Sequence, residues 1–169
     1  MNQKKIIFIA LIVGVILALV FSFREFSPGV NFFNFREAAP NDAGDDFSLS
    51  YPEGFRVTSQ EGGDGSRLIV AENLSAGSGQ EGFQIFIIPF DEPGPITPAR
   101  IWEDVNIEIE NPQEGVIAGI PALAFESIDE NFGPTFEVWF VEGGKLYQIT
   151  TYRSFAERLV EILKTWEFN

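Results

Sequence analysis

The residue types that most often carry catalysis are scarce in this sequence. Its 169 residues include no His and no Cys, which removes the commonest general base, the commonest transition-metal ligand and every thiolate nucleophile. A serine nucleophile would then need a lysine base, but Lys145 is expected at a hairpin tip and Lys164 on the polar face of a helix. Neither place suits such a dyad, so we predict no catalytic residue and no enzymatic activity.

The string Gly143-Gly144-Lys145 has the glycine and the lysine that end a phosphate-binding P-loop. That loop also needs an earlier glycine, where this chain has Trp139, and a helix after the lysine, which the pattern does not predict. A plain turn is therefore the better interpretation.

The 25 acidic residues offer two further chemistries. A pair of carboxylates could hydrolyse a sugar substrate, yet with so many acids some pair lies close by chance, and no spacing distinguishes one. Calcium could bind oxygen ligands from Asp42, Asp45 and Asp46, or from Asp91 and Glu92, although neither group has the spacing of an EF-hand loop. We interpret these residues as solvated charge and predict no metal site and no cofactor.

The net charge of −14 restricts the possible partners. All 25 acidic residues follow the first apolar run, so the remainder of the chain is strongly negative. Proteins ordinarily bind nucleic acids by neutralising phosphates with Lys and Arg, and a negative surface repels them. We therefore predict no nucleic-acid partner.

Residues 6–23 predict a transmembrane helix. These 18 uncharged residues would rise about 27 Å, close to the roughly 30 Å of a hydrocarbon core. Lys4 and Lys5 precede the run and Arg24 and Glu25 follow it, so the positive-inside bias places the N-terminus in the cytoplasm. A cleavable signal peptide is the alternative, but phenylalanines stand where its cleavage site needs small residues. The predicted regions are a cytoplasmic tail (1–5), a membrane anchor (6–23), a linker (24–46) and an extracytoplasmic domain (47–169).

Alternating apolar and polar residues predict strands through most of that domain. Two-residue periodicity or β-rich composition indicates strands at residues 47–51, 55–57, 67–71, 83–89, 116–118, 122–128, 136–140 and 146–152. Gly143-Gly144 suits a two-residue hairpin turn between the last two of these strands.

Two amphipathic helices are predicted among the strands. The first begins with Thr97 as N-cap and Pro98 as first helical residue, and it is expected to continue until Asn111-Pro112. The second begins with a capping box at residues 154–157 and carries its apolar side chains on one face as far as Trp166. The predicted fold class is α+β, with an antiparallel sheet flanked by helices in an α-β-α sandwich, preceded by one N-terminal transmembrane helix.

Trp102, Trp139 and Tyr147 are candidates for an interaction surface, because aromatic side chains often anchor interfaces. Trp139 is the most informative of them, since it lies opposite in phase to the apolar Val138 and Phe140 of its strand. The alternative is that a helix covers this second face of the strand, as an α-β-α sandwich requires.

Three segments together resemble the PsbP-like superfamily. They are the opening Phe47-Ser48-Leu49-Ser50-Tyr51-Pro52-Glu53-Gly54-Phe55, the corner Gly119-Ile120-Pro121-Ala122 and the closing helix at residues 155–168. The family includes extrinsic subunits of photosystem II, and a Ran-binding transport factor shares its fold. The resemblance therefore implies an α-β-α sandwich that acts through protein contacts. This chain differs in its membrane anchor and acidic linker, and no functional residue is carried across to it.

These observations predict a membrane-anchored extracytoplasmic protein-binding or assembly module without catalytic activity. Its expected partners are the membrane, bound through the N-terminal helix, and a protein that the sequence does not identify. An extracytoplasmic carboxylate-dependent hydrolase is the alternative function.

Overall fold

The computed structural model describes residues 46–52, 54–73, 81–92, 94–105, 107–129 and 132–169. Within these ranges no helix has the length and apolar character needed to cross a membrane. The predicted anchor and most of the predicted linker lie outside them.

The described part of the chain is mostly β-sheet. Its strands are β1 (Phe47–Ser48), β2 (Phe55–Glu61), β3 (Arg67–Asn73), β4 (Gly82–Pro89), β5 (Glu110–Ile117), β6 (Ile120–Asp129), β7 (Gly133–Glu142), β8 (Lys145–Tyr152) and β9 (Glu167–Phe168). Strands β2 to β8 form an antiparallel sheet in the order β2-β3-β4-β8-β7-β6-β5. Gly143 and Gly144 join β7 to β8 with φ angles of 57° and 75°, which confirms the predicted two-residue turn.

Helix α1 (Pro98–Val105) begins as predicted, because the Thr97 hydroxyl accepts a hydrogen bond from the backbone N–H of Arg100. The prediction that this helix continues to Asn111-Pro112 is wrong, since the helix ends at Val105 and Pro112 lies inside β5. An edge strand tolerates proline because an N–H on its open side needs no partner.

Helix α2 (Ala156–Leu163) confirms the predicted helix near the C-terminus. The predicted capping box at its start is wrong. A turn of 3₁₀-helix (Arg153–Phe155) precedes the helix, which has no side-chain cap. Apolar packing on the sheet holds the helix in place instead. The buried side chains that provide it are Phe155, Leu159, Ile162 and Leu163.

The two faces of the sheet bury separate cores. One face contributes Ile85, Val138 and Phe140, which cluster with Leu159 and Leu163 of α2. The second face contributes side chains such as Phe86, Leu123 and Trp139, which cluster with Ile101 of α1. Each described helix therefore covers a different face, which confirms the predicted α-β-α layering.

The two ends of the domain meet in a small second sheet. Phe47 of β1 pairs with Phe168 of β9, and the Phe47 ring stacks on Trp166 with 4.0 Å between ring centroids. Strand β1 pairs with the C-terminal end of the chain and not with β2, which follows it in sequence and pairs with β3. This pairing closes the domain over the core beneath α2.

Candidate functional site

The structure does not bring Trp102, Trp139 and Tyr147 together. Tyr147 is 2% exposed in the core beneath α2, whereas Trp139 is 7% exposed in the core beneath α1. Trp102 lies on α1 with 56% of its surface exposed. The covered position of Trp139 agrees with the alternative in which a helix lies over the second face of its strand, and a role for Trp102 in binding stays a prediction.

Strand β5 is the most exposed strand of the described sheet. It forms one edge, with β6 as its neighbour, and seven of its eight residues are exposed. Val116 is 67% exposed. Strand edges present unpaired backbone groups that invite another chain to pair.

The first half of β5 is protected against such pairing, but the second half is not. An irregularity in register separates Glu110 from Gln113, Asn111 has a φ of 51°, and Pro112 has no N–H. Bulges and prolines commonly prevent another strand from pairing with a sheet edge. Residues 113–117 continue in regular register with β6, so the open edge is confined to this stretch.

The register of β5 decides which of its backbone groups face outward. Val116 lies opposite Pro121, which has no N–H, so these two residues form a non-hydrogen-bonded pair. Hydrogen-bonded and non-hydrogen-bonded pairs alternate along an antiparallel ladder, and Glu114 opposite Leu123 is therefore of the same kind. Glu114 and Val116 direct their N–H and C=O groups away from β6, toward the open edge.

A groove of about 640 Å³ lies beside this edge. Residues 94–97, which precede α1, form one wall, and strands β5, β6 and β7 form the rest. Its apolar lining includes Val116, Pro121 and Val141, and the carboxylate residues Glu114 and Glu142 also line it. The groove thus combines apolar surface with negative charge.

A row of polar side chains crosses the second face of the sheet. Gln84 of β4 lies opposite Thr150 of β8, which lies opposite Glu137 of β7. The Thr150 hydroxyl donates a hydrogen bond of 2.6 Å to Glu137 Oε2, and the Trp139 indole N–H donates a second one of 3.3 Å to the same oxygen. Both polar atoms of the buried Gln84 amide lack a hydrogen-bond partner among the described residues.

Burial raises the pKa of Glu137 above its ordinary value of 4.5, because a carboxylate loses its hydration there. The hydrogen bonds from Thr150 and Trp139 act in the opposite direction, and the negative charge of Asp129 adds to the increase in pKa. A cavity of about 40 Å³ lies nearby and is lined by Gln84, Thr150 and their neighbours. Since roughly 10 to 15 Å³ is needed for one water molecule, this cavity is much smaller than a substrate pocket.

The described residues contain no group of three or more Asp and Glu side chains placed to hold a metal ion. Of the acidic residues considered for calcium, Glu92 accepts a hydrogen bond of 2.5 Å from Arg100, and Asp46 pairs with Lys145 at 2.5 Å. Asp42 and Asp45 lie outside the described residues.

The sequence contained weak signals for the features that its patterns did not predict. Residues 110–115 mix charged, proline and glycine residues without alternation, so the strand was predicted only from residue 116 onward, whereas β5 begins at Glu110. Gln84 is a polar residue inside the otherwise apolar run from Phe83 to Ile88, and such an interruption marks a buried polar group.

The antiparallel sheet with one helix on each face defines an α-β-α sandwich, and the open edge at β5 is its candidate binding site. No protein-family model matches the chain, and no curated protein matches it either. Among solved structures, the chain is similar to the solution structure of cyanobacterial PsbP (CyanoP) from Synechocystis sp. PCC 6803, with a TM-score of 0.52 and 15% sequence identity. The similarity covers 85% of this chain and 98% of that protein. It confirms the PsbP-like fold.

Proposed function

We propose that this protein is a membrane-anchored extracytoplasmic binding module that docks a protein partner along the outer edge of its sheet. The observation that supports the proposal most directly is β5, an edge strand exposed along residues 110–116 and bordered by a groove. Peptide recognition by addition of a strand to a sheet edge is a common binding mode. The resemblance to the PsbP-like superfamily also implies action through protein contacts.

A second copy of the same domain is a poorer occupant of this edge. Each copy would bring its own Glu114 to the shared edge, and like charges near one another oppose association. The net charge of −14 adds to this repulsion. A heterologous partner with positive charge suits the edge better.

Photo-crosslinking in native membranes tests the docking site. A photoreactive phenylalanine analogue at position 116 is expected to form a covalent adduct with a partner protein. The matched control is the same substitution at Ile128, which is 71% exposed and lies in β6. Mass spectrometry should place the adduct from position 116 on one partner that the control at position 128 does not label.

Three results would contradict the proposed docking site. They are no adduct at position 116, equal labelling of the same proteins from both positions, and an adduct that consists of two copies of this chain. Because both side chains are exposed, neither substitution is expected to disturb the core, and a thermal melt of each variant checks this.

The membrane placement is a separate part of the proposal. Residues 6–23 anchor the chain, Lys4 and Lys5 hold the N-terminus in the cytoplasm, and the domain lies on the other side. A protease added outside intact cells should therefore cut the linker near Asp42 and release the domain into the medium. Protection of the domain until the membrane is permeabilised would reverse the proposed orientation.

A carboxylate-dependent hydrolase has no observation in its favour among the described residues. The buried Glu137 is engaged by Thr150 and Trp139, and the cavity near it is too small for a sugar ring. That alternative stays an untested prediction.

A further inference from the structure

The open edge of β5 also carries information about the chemistry of its partner. This inference rests on the proposed function, because it concerns the segment that occupies the same edge. Glu114 and Val116 direct their backbone groups outward, and as residues i and i+2 of one strand their side chains lie on the same face. The same two residues would therefore supply both hydrogen bonds and side-chain contacts to an added strand.

Side chains that lie directly opposite each other in neighbouring strands are close enough to interact. A strand added antiparallel to β5 would place one of its residues opposite Val116 and another, two positions later, opposite Glu114. The first position borders the apolar part of the groove, formed with Pro121 and Val141. The second position lies beside the carboxylate of Glu114, which also lines the groove.

We infer that the partner presents an extended segment in which an apolar residue is followed, two positions later, by lysine or arginine. The apolar side chain packs against Val116 in the groove. The basic side chain lies against Glu114, whose negative charge it offsets. The residue between the two points to the other face of the sheet and contributes little to recognition, because the pattern has a period of two.

Competing occupants fit less well. An acidic or neutral segment would leave the Glu114 carboxylate facing it without compensation. A basic helix would leave the outward N–H and C=O groups of Glu114 and Val116 without strand partners, since its own backbone groups are bonded internally.

Synthetic peptides test this inference with the full chain in detergent micelles. The probe is fluorescently labelled Thr-Thr-Val-Thr-Lys-Thr-Thr, and the first control replaces its lysine by glutamate. The second control, Thr-Thr-Val-Lys-Thr-Thr-Thr, has the same composition with the lysine moved by one position. Fluorescence polarisation should show that the probe binds at least tenfold more tightly than either control.

A charge exchange makes the test independent of general electrostatic attraction. The Glu114→Lys variant should reverse the preference, binding the glutamate peptide more tightly than the lysine peptide. The matched control Glu157→Lys changes the net charge equally at an exposed position in the first turn of α2, and it should retain the preference for lysine.

Equal affinity for the two lysine peptides would overturn the inference, because the period-two spacing would then have no role. Loss of preference in Glu157→Lys, or no reversal in Glu114→Lys, would overturn it as well. The proposed function fails separately, through the crosslinking at position 116. A partner that crosslinks there without the predicted motif would leave the docking site standing and refute the motif.

Discussion

Replacing Phe140 by Ala is expected to lower the free energy of unfolding by about 3 to 5 kcal/mol, the usual cost of truncating a fully buried phenylalanine. Phe140 is completely buried in β7, beneath α2. Its ring stacks on Tyr147 with 4.8 Å between centroids and meets Trp166 edge-on at 5.4 Å. The substitution removes these contacts and leaves a cavity that rigid neighbouring strands fill poorly.

The size of this effect follows from the position of Phe140 between distant parts of the chain. Trp166 also stacks on Phe47, so the ring cluster links the central sheet to the β1–β9 pair. Domains of this size are usually stable by about 5 to 15 kcal/mol, so the loss is a large fraction of the total.

Urea denaturation followed by tryptophan fluorescence measures this difference. The control is Ile128→Ala, which truncates an exposed side chain and should change the free energy of unfolding by less than about 0.5 kcal/mol. A Phe140→Ala variant within about 1 kcal/mol of the unsubstituted protein would show that the aromatic cluster does not hold the domain together.

Replacing Glu137 by Gln is expected to change how stability depends on pH. Burial raises the pKa of Glu137 in the folded protein above 4.5, so folding favours the protonated form. The contribution of that protonated group to stability is fully present below about pH 4.5 and is lost as the pH rises through the folded-state pKa. Glutamine stays neutral at every pH and keeps a carbonyl oxygen that can accept the hydrogen bonds from Thr150 and Trp139.

The Glu137→Gln variant should therefore gain stability relative to the unsubstituted protein as the pH rises from about 4.5. The gain is at most about 1.4 kcal/mol per pH unit, the limit for one proton, and it ends above the folded-state pKa. Urea denaturation between pH 4 and pH 8 measures it. The control is the exposed Glu157→Gln variant, whose stability relative to the unsubstituted protein should not change with pH. The prediction would be contradicted if the free energies of unfolding of Glu137→Gln and the unsubstituted protein differed by the same amount at every pH.

The buried polar row raises the question of why the sheet retains Gln84 and Glu137. Apolar residues of similar size would avoid the desolvation of both groups. The row lies where β4, β8 and β7 meet the small cavity, at a distance in the sheet from the open edge at β5.

The sequence alone determined those features that depend on neighbours along the chain. The β-rich run at residues 83–89, apolar at most of its positions, predicted a strand, and the structure has β4 (Gly82–Pro89) there. Gly143-Gly144 specified its hairpin because both positions adopt positive φ angles that glycine permits. Thr97-Pro98 likewise specified the start of α1, since a cap acts within one helical turn.

Only the tertiary structure decided which side chains became surface, core or site. Trp102, Trp139 and Tyr147 were equivalent candidates by residue type, but packing exposed the first and buried the others. Most of strand β5 lacked a sequence pattern because its residues are exposed, and hydrophobic alternation arises only where one face is buried and the other is solvated. The open edge, the groove and the buried Glu137 all depend on which strands and helices lie side by side, and contacts between residues far apart in the chain determine that arrangement.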